Sequence, residues 1–132
     1  MQGGSKRSIM PSGSRILVIE DDPDILDLVI MALAEAHEAY EIRGVRGGGA
    51  ALDLLRQWSA DLVVLDLNII GMSGEQFLAA CRREGLPLFR VLLVSAVTDL
   101  ASHAARLGVA GALAKPFEID ALIGAVRAAL AD

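Results

Sequence analysis

The sequence predicts an α/β protein built as a doubly wound, five-stranded parallel sheet, and three observations carry that prediction. Ile16 to Ile19, Leu62 to Leu65 and Val91 to Val94 are each four consecutive aliphatic residues, the unbroken apolarity of strands buried on both faces. Segments with helical spacing lie between them. From Arg15 onward strands and helices alternate, an order that implies a parallel sheet covered on both faces and joined by right-handed crossovers. The segments share no residue pattern beyond hydrophobicity, which excludes a solenoid.

Each element follows from local punctuation. The first strand, Ile16 to Ile19, leads to Asp22 as N-cap and Pro23 in the first turn of a helix whose Ile25, Leu26, Val29 and Leu33 repeat at helical spacing. Tyr40 to Val45 alternates polar Glu41 and Arg43 with Tyr40 and Ile42, the pattern of an edge strand. A helix over Ala50 to Trp58 follows, and the Gly47 to Gly49 run before it is a flexible turn, lacking dinucleotide or phosphate-loop spacing. After the third strand, Leu62 to Leu65, Ser73 and Gln76 form a capping box before Phe77, Leu78 and Cys81. After the fourth, Thr98 is expected to cap a helix that stops at Gly108. Ala110 to Ala114 is a weaker fifth strand, and Ile119, Leu122, Ile123, Val126 and Leu130 mark the last amphipathic helix.

Composition bounds the function. A chain of 132 residues suits one compact domain. Met1 to Ser14, rich in Gly and Ser, is excluded from that domain as a disordered leader, linker or expression scar, leaving residues 15–132. The net charge of -5 argues against a nucleic-acid or anionic-membrane partner and for a basic partner or a bound cation. One cysteine builds neither a disulfide nor a cysteine zinc site, no apolar run is long enough to span a bilayer, and a cytoplasmic location is expected. Ten of the twelve basic residues are Arg; the lysines are Lys6 and Lys115.

The chemistry collects after the strands. The first runs into Glu20 and Asp21, the third into Asp66, the fourth into Ser95, and the fifth into Lys115 and Pro116. In a parallel sheet these C-terminal strand ends share one edge, where ligands bind. Asp66, between Leu65 and Leu67, loses solvation when ionised and needs a compensating charge; Glu20 and Asp21 oppose its ionisation, whereas a divalent cation and Lys115 favour it. Oxygen ligands without His or Cys favour Mg²⁺ over zinc. A carboxylate beside Mg²⁺ and an ammonium is suited to attack phosphorus and form an aspartyl phosphate. Ser95 is then a hydroxyl donor to a phosphoryl oxygen, and small Ala96 leaves room for the group.

ILVIEDD (Ile16 to Asp22), DLVVLDLNIIGMSG (Asp61 to Gly74), VLLVSA (Val91 to Ala96) and AKPF (Ala114 to Phe117) together resemble the response-regulator receiver domains of two-component and phosphorelay signalling. The resemblance implies a (βα)5 flavodoxin-like receiver fold of strand order 2-1-3-4-5 over Arg15 to Asp132. It implies that Asp66 takes a phosphoryl group from a phosphohistidine on a histidine kinase or histidine phosphotransfer protein. It further implies that Asp21 binds Mg²⁺ directly, Glu20 through water and Asn68 by its backbone carbonyl. Ser95 and Lys115 would contact the phosphoryl group, with Lys115 to Pro116 a cis-peptide candidate. Such a protein catalyses its own modification without being a conventional enzyme.

Two positions depart from the family pattern. Ile70 replaces a proline four residues after the acceptor, which is expected to leave that loop more mobile, and Ala112 replaces an aromatic that changes rotamer. The small-residue face of Thr98 to Leu107, Ala110 to Ala114 and the last helix, with Leu100, Ala104, Leu107, Ala112 and Phe117, is the expected output or homodimer surface. His37 and His103 are expected at the surface, Cys81 in the core, and Trp58 away from the acidic edge. A phosphorylation-independent binding module is the alternative function, and a small aspartyl-phosphate phosphatase ranks last, because Asn68 stands where that class needs a second aspartate.

Overall fold

The computed structural model describes residues 13–36 and 38–131; most of the Gly- and Ser-rich leader and His37 lie outside them. Gly13 and Ser14, assigned to that leader, join the fold: Gly13 N–H donates to the Ala39 carbonyl at 2.8 Å and Ser14 is buried. The chain then runs β1 (Arg15–Ile19), α1 (Pro23–Ala34), β2 (Glu41–Val45), α2 (Gly48–Leu55), β3 (Leu62–Leu65), β4 (Asn68–Ile69), β5 (Met72–Ser73) and α3 (Gly74–Glu84). It ends with β6 (Arg90–Ser95), α4 (Leu100–Leu107), β7 (Gly111–Ala114) and α5 (Ile119–Ala131).

The five main strands form one parallel sheet of order β2-β1-β3-β6-β7, which is 2-1-3-4-5 when β4 and β5 are set aside. Successive side chains of the inner strands point to opposite faces, so each aliphatic run feeds two cores. Leu17, Ile19, Val63, Leu65 and Leu93 pack with α2, α3 and Leu100. Ile16, Val18, Leu62, Val64, Leu92 and Val94 pack with Leu26, Val29 and Leu33 of α1 and Leu122, Val126 and Leu130 of α5. The edges β2 and β7 are half-exposed or exposed throughout.

The capping signals hold at three helices. Asp22 accepts from the Asp24 and Ile25 N–H groups with Pro23 in the first turn. Ser73 and Gln76 form both bonds of the capping box, and Gly108 ends α4 in the left-handed conformation at φ 65°. Three expected boundaries are wrong. α2 begins at Gly48, so two of the three glycines read as a flexible turn form its first turn, with Gly47 at the N-cap. α2 stops at Leu55, three residues before Trp58, because Gln57 N–H turns back to the Leu54 carbonyl at 3.1 Å while the Arg56 side chain is drawn to Glu84 and Asp53. α4 is flanked by Asp99 instead of Thr98, and the Asp99 carboxylate, rather than capping backbone, pairs with the His103 ring at 3.2 Å. The short antiparallel pair β4·β5, Asn68 opposite Ser73 and Ile69 opposite Met72, has no counterpart in the sequence reading.

Candidate functional site

Register assembles the site. Ile19 pairs with Leu65, and Leu65 with Leu93, so Glu20 and Asp66 leave the sheet side by side, while Ser95 pairs with Ala114, one residue before Lys115. The Lys115 ammonium lies 2.7 Å from Asp66 Oδ2 and 2.6 Å from Glu20 Oε1. Asp66 and Glu20 are only 6% and 4% exposed. The other Asp66 oxygen, Oδ1, accepts the Asn68 N–H at 3.1 Å, and Glu20 Oε2 accepts the Asp22 N–H at 3.1 Å. The Lys115–Pro116 peptide is cis.

Burial pushes the Glu20 carboxyl above the ordinary carboxylate range, against Lys115 and the Asp22 N–H, which pull it down. Burial pulls the Lys115 ammonium down, but its bonds to Asp66 and Glu20 outweigh that and hold it above the ordinary lysine value. One carboxylate oxygen each from Glu20, Asp21 and Asp66 lies within 4.8 Å of the others. Three acids against one lysine leave an excess of negative charge, and the donors are all oxygen, which fits a hard divalent cation such as Mg²⁺.

Ser95 is buried at the end of β6, its hydroxyl 3.5 Å from the Val97 N–H and its carbonyl accepting from Lys115 N–H at 3.0 Å. Ala96 beside it is exposed. Leu100, expected on the outward face, is instead buried in the core with Phe77 and Leu93, because the first turn of α4 lies against α3. Ala104, Leu107 and Phe117 are half-buried and Ala112 exposed. His103 is not a free surface residue: its two ring nitrogens face Glu75 and Asp99 at 3.1 and 3.2 Å. Cys81 is buried among the core residues, and burial pushes its thiol up to about 11.

Three contributors escaped sequence reasoning. Arg46, the residue after β2, donates from Nε and Nη2 to the Asp21 carbonyl at 3.1 and 2.9 Å and holds the acidic turn; the rule that collects strand ends at one edge, extended to β2, finds it. Gly74 lies so close to the loop after β3 that a Cβ there would stand 2.8 Å from the Asp66 carbonyl oxygen. The loop itself, without its proline, is tied to its neighbour by Gly48 N–H to the Ile70 carbonyl at 3.2 Å and by Ile70 N–H to the Arg46 carbonyl at 3.4 Å. No signal in the sequence announces these last contacts.

A doubly wound sheet with acids and a lysine converging at its carboxyl edge defines the receiver class. The chain belongs to the response regulator receiver domain family, which matches residues 16–127. It is 32% identical over 119 residues to the DNA-binding response regulator MtrA of Mycolicibacterium smegmatis, covering 88% of this chain and 50% of that protein. It is likewise 32% identical over 118 residues to the nitrate/nitrite response regulator protein NarP of Escherichia coli, covering 86% of this chain and 54% of that protein. The chain thus spans about half the length of these relatives. Among solved structures it resembles a signal receiver domain from Vibrio parahaemolyticus with a TM-score of 0.78 and 28% identity, covering 89% of this chain and 90% of that one. The phosphorylated cyanobacterial phytochrome response regulator RcpA gives 0.72 and 27%, covering 88% and 90%. Among the described residues no helix is long and apolar enough to cross a membrane.

Proposed function

We propose that Asp66 accepts a phosphoryl group from a phosphohistidine on a histidine kinase or histidine phosphotransfer protein, and that the modified chain changes conformation to signal to a partner protein. The observation that carries this reading is a buried carboxylate, Asp66, ion-paired with Lys115, the one lysine among the described residues, within reach of two further carboxylates. An Asp66 oxygen attacks phosphorus, the phosphorus–nitrogen bond breaks, and the departing imidazole nitrogen takes a proton from solvent. Lys115 turns from the carboxylate to the phosphoryl oxygens, and the Ser95 hydroxyl donates to another of them beside the space that Ala96 leaves open.

Mg²⁺, held by Asp66, by Asp21 directly, by the Asn68 carbonyl and through water by Glu20, would offset charge on the transferring oxygens. RcpA, similar in fold and sequence, is a phosphorylated response regulator, which supports the assignment. With Ala112 in place of an aromatic, the change must pass to α4, β7 and α5 by another route, and the face carrying Ala104, Leu107, Ala112 and Phe117 is where a partner or second copy would read it.

Incubation with acetyl phosphate and Mg²⁺, followed by intact-mass measurement, tests the reading. The expected result is a single, hydroxylamine-labile phosphate adduct that Asp66→Asn abolishes. No adduct with any phosphodonor would overturn it in favour of a phosphorylation-independent binding module, the reading that Ala112 keeps in view.

A further inference from the structure

Glu20, Asp21 and Asp66 each bring an oxygen to one place, but they are held there in different ways. The Glu20 carboxylate has Lys115 and the Asp22 N–H as partners, and the Asp66 carboxylate has Lys115 and the Asn68 N–H. The half-buried Asp21 carboxylate has no hydrogen bond or ion pair among the described residues. Asp21 is instead held through its backbone, where the carbonyl accepts from both Nε and Nη2 of Arg46.

Arg46 is itself anchored on two sides. It follows β2, whose last residue, Val45, accepts the Glu20 N–H at 3.1 Å, so the turn after β2 starts beside the turn that carries Asp21. On its other side the Arg46 carbonyl accepts the Ile70 N–H, and Gly48 N–H donates to the Ile70 carbonyl. Gly47 permits that approach, because a Cβ there would stand 2.7 Å from the Ile70 carbonyl oxygen, backbone that cannot swing away. Residues 46–48 therefore join the loop bearing Asp21 to the loop that follows Asp66 and Asn68. The planar guanidinium suits this task, since its fork of N–H groups is pre-organised and loses little freedom on bonding.

We infer, on the reading that Asp66 is phosphorylated with Mg²⁺ bound, that Arg46 is a positioning residue for the cation: it fixes the backbone of Asp21, the acid whose carboxylate no neighbour holds. The charge of Arg46 works in the opposite sense. A guanidinium beside three acids repels a second cation, so positioning and charge predict changes of opposite sign when Arg46 is removed.

Isothermal titration calorimetry of the full chain with MgCl₂ at fixed ionic strength tests this. Arg46→Ala is expected to bind Mg²⁺ about tenfold more weakly, the loss typical when a contact that orients a metal ligand is removed. Arg46→Lys, which keeps the charge and can make one of the two bonds, should fall between Arg46→Ala and the native chain. Arg43→Ala removes the same charge from an exposed position on β2 and should leave the affinity within twofold. Urea unfolding without Mg²⁺ establishes that each variant is folded at the titration temperature, and Arg46→Gln replaces Arg46→Ala if that variant is not. Unchanged or tighter binding by Arg46→Ala, or an equal loss in Arg43→Ala, would overturn the inference and leave the proposed function standing. A native chain that binds no Mg²⁺ would overturn both.

Discussion

Both oxygens of Asp66 are occupied, one by the Asn68 N–H and one by Lys115, so the carboxylate is held in one orientation by its own neighbours. Gly74 makes that orientation sterically feasible, since a side chain there would strike backbone that cannot give way. Gly74→Ala is therefore expected to cost about 1–3 kcal/mol in urea unfolding, and unchanged stability would show that the loop relaxes around it. Lys115 carries a pH signature with a defined sign. Its folded value lies above the ordinary 10.5, so its contribution to stability is complete below that value and is lost as pH rises through the raised one. Alkaline unfolding midpoints should fall more steeply for the native chain than for Lys115→Gln. These residues were unequally visible beforehand. Asp66 and Lys115 could be read because a charge after an apolar run demands compensation, whereas Gly74 is one of thirteen glycines and only the approach of backbone behind it sets it apart.

Three cap signals matched the helix ends they mark, whereas the Thr98 cap and the end of α2 at Trp58 did not. Asp22, Ser73 and Gly108 act within one turn of their own helices. Asp99 stands at the cap position expected of Thr98 but turns its carboxylate to His103, and His103 belongs to a group with Glu75 and Arg106 that joins the start of α3 to α4. Arg106 meets both Glu75 oxygens, at 3.1 and 2.7 Å, across 31 residues of chain, a separation no local pattern encodes. This contact links the helix after the Asp66 loop to the helix after Ser95, a physical connection that does not depend on an aromatic at position 112. Its acid limb follows from Glu75, which Arg106 holds below the ordinary carboxylate value of 4.5. The contribution is present above 4.5 and is lost as pH falls through the lowered value. Amides of α4 should exchange faster than those of α3 across that fall, and Glu75→Gln should show the faster α4 exchange already at neutral pH. Equal exchange in variant and native chain would remove the contact from any account of how α4 is held.

At the scale of the molecule, the sheet separates its two ends. Acids and lysine occupy the carboxyl edge, while Trp58 lies toward the other, its indole N–H 3.2 Å from Glu41 and its ring flanked by the guanidinium groups of Arg15 and Arg43. Titration with Mg²⁺ is accordingly expected to raise the thermal midpoint by several degrees near saturation, since a cation at 100 times its dissociation constant adds about 2.7 kcal/mol. It should scarcely change Trp58 fluorescence. Asp21→Asn should abolish the thermal gain, and strong saturable quenching would mean that cation and indole are not at opposite ends. The parallel order and the site's location were legible at this scale because unbroken aliphatic runs have few ways to be buried. The scarcity of lysine has an experimental use of its own. The Lys115 side chain is 14% exposed and its ammonium is held by two carboxylates, so acylating reagents should reach it only when that grip opens. Its labelling rate, read by mass spectrometry, becomes a footprint of how often the site lets go.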